Sequence, residues 1–193
     1  MGNKQQTVSN FSAYFLLGIE HILNWNALDH LLFILSLASV YLITDYKKLL
    51  WQITAFTAGH SITLALATLH IIEVNVKWVE FLIPCTILLS AIYNLTKTKK
   101  RYKYGMVAFF GLIHGLGFSN YLQSLLGAES SLFIPLLGFN LGLELGQICV
   151  VTAILLFSIL SFQVFHWKQK PYIKVLSGLI IGLVLPMILE RWP

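Results

Sequence analysis

The stretch LFIPLLGFNLGLELGQICVVTAILLFSILSFQVF, residues 132–165, contains a single charged side chain, Glu144, among 34 residues. An α-helix of that length extends for about 51 Å, whereas the hydrocarbon core of a bilayer is only ~30 Å thick. We therefore expect this helix to tilt, to project from the membrane, or to break near Pro135. An apolar run of this length predicts a helix that crosses a membrane.

The composition of the whole chain also indicates a membrane protein. Of the 193 residues, 57% are hydrophobic and 11% are charged, whereas roughly 25% of the residues of a soluble domain are charged. The formal net charge is +5, but the cations lie in short loops between apolar runs, so we expect no nucleic-acid partner. The sequence predicts an all-α integral membrane protein in contact with a lipid bilayer. It is also compatible with a homo-oligomer.

The apolar runs predict one transmembrane domain, residues 1–193, with about six spans, since a span needs about 20 apolar residues. The predicted spans cover residues 28–44, 51–72, 78–96, 104–126, 132–165 and 172–189. A shorter apolar run precedes them at residues 11–23. It is too short to cross a bilayer, and we expect an interfacial or re-entrant helix there.

Basic residues predict the orientation. Ten of the 13 Lys and Arg residues fall in the loops after spans one, three and five, which lie on one side if there are six spans. Only Lys4, Lys77 and Arg191 lie on the other side. The positive-inside rule places the three basic loops in the cytoplasm. We therefore expect a multi-pass membrane protein with both termini outside.

Ionisable side chains inside the predicted spans are the main functional signal. A charge at the centre of a bilayer costs about 2.5–3.5 kcal/mol or more, so such residues usually have a function. With the predicted orientation, all of them lie at mid-membrane or in its outer half, which predicts a cavity that opens outward with its floor near His60 and His114. They are His21, Asp29, His30, His60, Glu80, His114 and Glu144.

Two helical patterns suggest how the spans pack. Asn140, Glu144 and Gln147 are spaced i, i+4, i+7 and share one helical stripe, which we expect to face the cavity. Glycines permit close helix contact in membranes, and the sequence has two sets of glycines next to polar residues. They are Gly138, Gly142 and Gly146 on the opposite stripe, and Gly111 and Gly115 around His114.

Histidine and carboxylate together form the usual ligand set of a transition metal. The sequence therefore predicts a site for a divalent metal ion, and imidazole with carboxylate suits nickel, copper or zinc. Its predicted ligands are His21, Asp29, His30, His60, His114 and Glu144. Residues expected around the site or along a path to it are Glu80, Asn140, Gln147 and Glu190.

Five segments resemble the HupE/UreJ family of small bacterial membrane proteins, and the resemblance covers nearly the whole chain. The segments are GIEHILNWNALDHLLFILSL (18–37), FTAGHSITL (56–64), VEFLIPCTILLSAIYN (79–94), FFGLIHGLGF (109–118) and FNLGLELGQ (139–147). The resemblance implies nickel uptake, or cobalt uptake in some members. The family's first motif has five residues between a His and an Asp-His pair, whereas seven separate His21 from Asp29 here.

Two hypotheses remain open at the level of sequence. The first is a permease for a divalent metal, and this is the hypothesis that the resemblance favours. The second is an intramembrane zinc hydrolase acting on a lipid or a membrane peptide, because three protein ligands and one open position are typical of catalytic zinc. In the second, Asp29 or Glu144 would act as general base. The scarcity of charge in the predicted cytoplasmic half favours the enzyme, since a permease needs an exit path.

Overall fold

The protein is an all-α membrane protein, as predicted. The computed structural model describes the backbone of residues 2–25, 28–96, 104–126 and 132–193, and the side chains of residues 11–25, 28–96, 104–125 and 132–193. Seven α-helices lie in these residues, and a short 3₁₀-helix, Ile43–Asp45, joins the second to the third. The helices are α1 Gly2–Leu23, α2 Leu28–Ala38, α3 Tyr46–Thr68, α4 Val76–Thr96, α5 Tyr104–Leu126, α6 Phe133–Gln163 and α7 Gln169–Glu190.

Four of the described helices, α4 to α7, are each long and apolar enough to cross a membrane. Helices α2 and α3 meet the same criterion only together, and the chain bends by 101° between them. The 31-residue α6 is unbroken, because Pro135 lies in its first turn, where proline needs no hydrogen-bonded N–H. The number of membrane crossings therefore stays a prediction.

Glycines align α1 with α6. Gly138 lies against Phe11, Gly142 against Phe15, and Gly146 against Ile19, so the two helices run parallel. A Cβ at Gly142 would overlap the carbonyl oxygen of Phe15. The predicted contact of this glycine stripe with a neighbouring helix is confirmed, and α1 ends about 20 Å along α6.

The second close pair is α3 with α5, which also run parallel. Gly111 contacts the backbone of Phe56, and Gly115 contacts the backbone of His60. Gly59 in turn lies against Ala108, so small residues are present on both helices. The predicted close approach of another backbone beside His114 is confirmed.

Helix α2 continues in the direction of α1. Its first turn lines a pocket with Glu80 near the start of α4, and Ser36 near its end bonds Asn94 near the end of α4. Helix α1 ends at Leu23 and α2 begins at Leu28, and we name the pair the interrupted α1–α2 element. The short helix predicted at 11–23 is the later part of α1, which begins at Gly2, and α2 covers only residues 28–38 of the span predicted at 28–44.

The connections from α2 to α3 and from α6 to α7 lie at one end of the bundle, which we name the basic end. It carries Lys47, Lys48, Lys168, Lys170 and Lys174. Gln169 there donates a hydrogen bond to the carbonyl oxygen of Val40, 3.2 Å away, which joins the two connections. The third predicted basic loop, 97–103, lies outside the described residues.

Candidate metal centre

Four histidines from four different helices meet in the middle of the bundle. We name them the histidine group: His21 at the end of α1, His30 in the first turn of α2, His60 in α3 and His114 in α5. The ring centroids of His21 and His30 lie 4.4 Å apart, and those of His30 and His114 lie 5.3 Å apart. The His21 and His60 centroids are 6.1 Å apart. Residues separated by up to 93 positions in sequence thus lie in one place.

Three of these side chains have the spacing of a metal site. His21, His30 and His60 each offer one ring nitrogen, and these three nitrogens lie within 4.8 Å of one another. We name them the histidine triad. Imidazole nitrogen suits nickel, copper, zinc and iron, so the donor set is chemically that of a transition-metal site.

The buried ring nitrogens of the triad lack hydrogen-bond partners. His60 is fully buried and His30 is 5% exposed, and both ring nitrogens of each are buried without a partner, as is Nε2 of His21. Buried polar groups are normally hydrogen-bonded, and leaving one unpaired costs roughly 1–3 kcal/mol. Several such nitrogens directed at one another fit a bound cation, which would accept their lone pairs.

The glycine contacts explain why the rings converge. Without side chains at Gly59, Gly111 and Gly115, the backbones of α3 and α5 approach closely and place His60 beside His114. The α1–α6 contact does the same for His21, whose ring lies 5.6 Å from that of Phe139. The ring of Phe118 also packs against that of His21, with 4.2 Å between the two ring centroids.

His114 is held by a hydroxyl from α4. Its Nε2 lies 2.9 Å from Oγ1 of Thr86, and the same hydroxyl donates to the carbonyl oxygen of Ile83 at 2.7 Å. The other ring nitrogen of His114, Nδ1, is buried without a partner.

A pocket of about 260 Å³ leads from the histidine group toward the end of the bundle opposite the basic end. Asp29, Glu80 and Arg191 line it together with His21, His30 and His114. The two oxygens of Asp29 lie 3.2 and 3.1 Å from Nη1 of Arg191. The structure therefore brings the predicted residues Asp29 and Glu80 to the histidine group, with Asp29 engaged by an arginine.

Glu144 lies elsewhere. Its Oε1 accepts a hydrogen bond of 2.6 Å from Thr54 of α3. Gln147 accepts one of 2.9 Å from Thr57, and Asn140 accepts one of 2.6 Å from Ser61. At 100° per residue, this face of α3 is about a quarter turn from His60. We name these six residues the α3–α6 seam; the predicted polar stripe of α6 binds a neighbouring helix there.

One predicted residue and two residues that were not predicted remain to be placed. Glu190 is the exposed last residue of α7 and lies next to Arg191. Arg191 and Thr86 were not predicted to contribute to the site. Arg191 carried a usable signal, because it is one of three basic residues on the predicted outer side. Thr86 is one of several hydroxyl side chains in an apolar helix, and nothing in the sequence pairs it with a particular histidine.

Comparison with protein families gives one match. The family model described as HupE / UreJ protein matches residues 1–191. Searches of curated proteins and of solved structures find no match. The match includes every residue of the histidine group and of the pocket.

Proposed function

The chain belongs to the HupE/UreJ family, which is associated with nickel and cobalt transport, and from that premise we propose that it is a membrane permease whose substrate is Ni²⁺. The histidine triad carries this proposal. Three imidazoles from three helices offer nitrogens within 4.8 Å of one another in the interior of a membrane protein. A borderline transition-metal ion is the cargo that such donors select over Mg²⁺ or Ca²⁺.

The pocket supports a route by which the ion arrives. Two carboxylates, Asp29 and Glu80, line it next to the triad. Carboxylates at the mouth raise the local concentration of a cation. We place this end outside the cytoplasmic membrane of a bacterium, since the positive-inside rule places the basic end in the cytoplasm.

Neutral polar side chains support a route of release toward the basic end. In α4, Thr86, Ser90 and Asn94 are spaced by four residues and share a face. Ser90 lies 2.5 Å from Ser36 of α2, measured between the hydroxyl oxygens, and Asn94 donates to the carbonyl oxygen of Ser36 at 2.9 Å. Hydroxyl and amide groups bind a divalent ion weakly, and conduction requires weak binding on the way out.

The interrupted α1–α2 element supports alternating access. Discontinuous helices at mid-membrane frame the substrate sites of many secondary transporters. Here His21 lies in the last turn of α1 and His30 in the first turn of α2, so a change in the angle between α1 and α2 would alter the triad. The membrane potential contributes about 2.3 kcal/mol per charge for each 100 mV, which favours inward movement of a cation.

The zinc hydrolase alternative has less support from the site. Its two expected general bases do not approach the triad as free carboxylates. Asp29 is bound by Arg191, and Glu144 accepts from Thr54 in the α3–α6 seam. Tightly held, stoichiometric zinc in purified protein would favour the enzyme over the permease.

Nickel uptake tests the proposal. Liposomes containing the purified protein should take up Ni²⁺ under an inside-negative potential, and His30→Ala should reduce the initial rate by at least about tenfold, because loss of a ligand costs no less than loss of an outer partner, which typically costs 10–100-fold. His166→Ala is the control, since His166 is exposed at the basic end. Uptake by His30→Ala at the wild-type rate would contradict the proposal. Competition by Co²⁺ and Zn²⁺ in the same assay measures selectivity.

A further inference from the structure

We propose that Arg191 limits the affinity of the site for its cation by occupying Asp29, so that an arriving divalent ion must displace the guanidinium. This inference rests on the proposed permease function and concerns a residue outside the predicted ligand set. In the absence of the ion, Arg191 neutralises Asp29. In its presence, the carboxylate is released toward the histidine triad.

The ion pair between Arg191 and Asp29 is close and partly enclosed. Nη1 of Arg191 lies 3.2 Å from one oxygen of Asp29 and 3.1 Å from the other. The Asp29 side chain is 13% exposed and that of Arg191 is 30% exposed. The other ion pair in the described residues, Lys48 with Asp45, spans 3.4 Å and has a lysine that is 53% exposed. The Arg191 pair is thus the more enclosed of the two.

The end of α7 fixes where the guanidinium lies. The backbone N–H of Arg191 donates to the carbonyl oxygen of Met187 at 3.1 Å. The next residue, Trp192, packs edge-on against Phe81 of α4, with centroids 5.2 Å apart. These contacts hold Arg191 over the pocket, between the start of α2 and the start of α4.

The charges of the pocket explain what the arginine does. Asp29, Glu80 and Arg191 are the charged side chains among its described lining residues, and His30 of the triad follows Asp29 directly. Two carboxylates next to three imidazoles would hold a divalent ion tightly, and a permease must also release its substrate. A guanidinium that competes for one carboxylate lowers the affinity and speeds release.

The test is a gain of affinity, which misfolding does not produce. Arg191→Gln should bind Ni²⁺ about tenfold more tightly in calorimetry of the purified protein, as expected when one partly screened positive charge is removed. Uptake at saturating Ni²⁺ should fall, because release slows. Arg191→Lys should give a smaller gain of about threefold, since an ammonium lacks the planar fork of arginine.

Two further variants separate the possible causes. Lys48→Gln removes the same charge from the exposed pair and should leave Ni²⁺ affinity unchanged. Asp29→Asn combined with Arg191→Gln should abolish the gain, because the released carboxylate is then absent. If Arg191→Gln cannot be purified as folded protein, the comparison of Arg191→Lys with wild type decides.

Unchanged or weaker Ni²⁺ binding in folded Arg191→Gln would overturn the inference. A gain of Ni²⁺ affinity that persists in the variant carrying both Asp29→Asn and Arg191→Gln would also overturn it. The proposed function fails differently: wild-type protein and His30→Ala would then take up nickel equally, whatever Arg191→Gln does.

Discussion

The histidine group and the α3–α6 seam are neighbouring polar regions that share helix α3, yet they differ in how their polar atoms are paired. In the seam, each of Asn140, Glu144 and Gln147 accepts a hydrogen bond from a hydroxyl of α3. In the histidine group, the ring nitrogens of His30 and His60 are buried without partners. Hydrogen bonds between membrane helices average about 0.6 kcal/mol, so the seam is explained as packing. The unpaired nitrogens fit the proposed metal ion, which would take one lone pair from each ring of the histidine triad.

The largest expected effect is that of His60→Ala. His60 is fully buried and supplies one of the three nitrogens of the triad, so Ni²⁺ affinity should fall by at least about a hundredfold, above the range seen for outer partners of a ligand. Calorimetry of the purified protein measures it. Ser61→Ala alters the adjacent residue of the seam and should change the affinity less than about twofold. Equal losses in both variants would erase the distinction between the two regions.

An intermediate effect is expected for Thr86→Val, which replaces a hydroxyl by a methyl group of similar size. Thr86 orients the His114 ring through a contact of 2.9 Å to Nε2, and removing such a partner typically weakens metal binding about 10-fold or more. Thr57→Val is the same substitution in the seam and serves as control. If the two threonine variants bind Ni²⁺ with the same affinity, His114 takes no part in holding the ion.

The smallest effect on binding is expected for Glu144→Gln. The amide oxygen can still accept from Thr54, so the free energy of unfolding should fall by about 1 kcal/mol or less, and Ni²⁺ affinity should stay within about twofold of wild type because the residue lies outside the triad. Denaturant titration in detergent and calorimetry measure the two quantities. A tenfold loss of affinity would return Glu144 to the ligand set that the sequence predicted.

Much of the fold could be predicted from the sequence because a lipid environment constrains it strongly. Backbone groups in a bilayer must be bonded within the segment, so long apolar runs become helices, and the predicted runs at 78–96 and 104–126 correspond to α4 and α5. The packing of the helix predicted at 11–23 could not be predicted, because the length of an apolar run does not identify the helix that it contacts. In the structure this helix packs against α6, where Gly138, Gly142 and Gly146 contact α1.

The sequence by itself determined that this is a helical membrane protein with histidines and carboxylates in or beside its apolar segments, since hydropathy depends on residue type and spacing alone. Tertiary structure decided which of those residues meet. The stripe containing Glu144 was expected to face the cavity, but a stripe does not identify its partner, and in the structure it faces hydroxyls of α3. Arg191 and Asp29 are 162 positions apart, and no local pattern joins them. Side-chain pairing across a bundle depends on helix directions and rotations, which are set by packing.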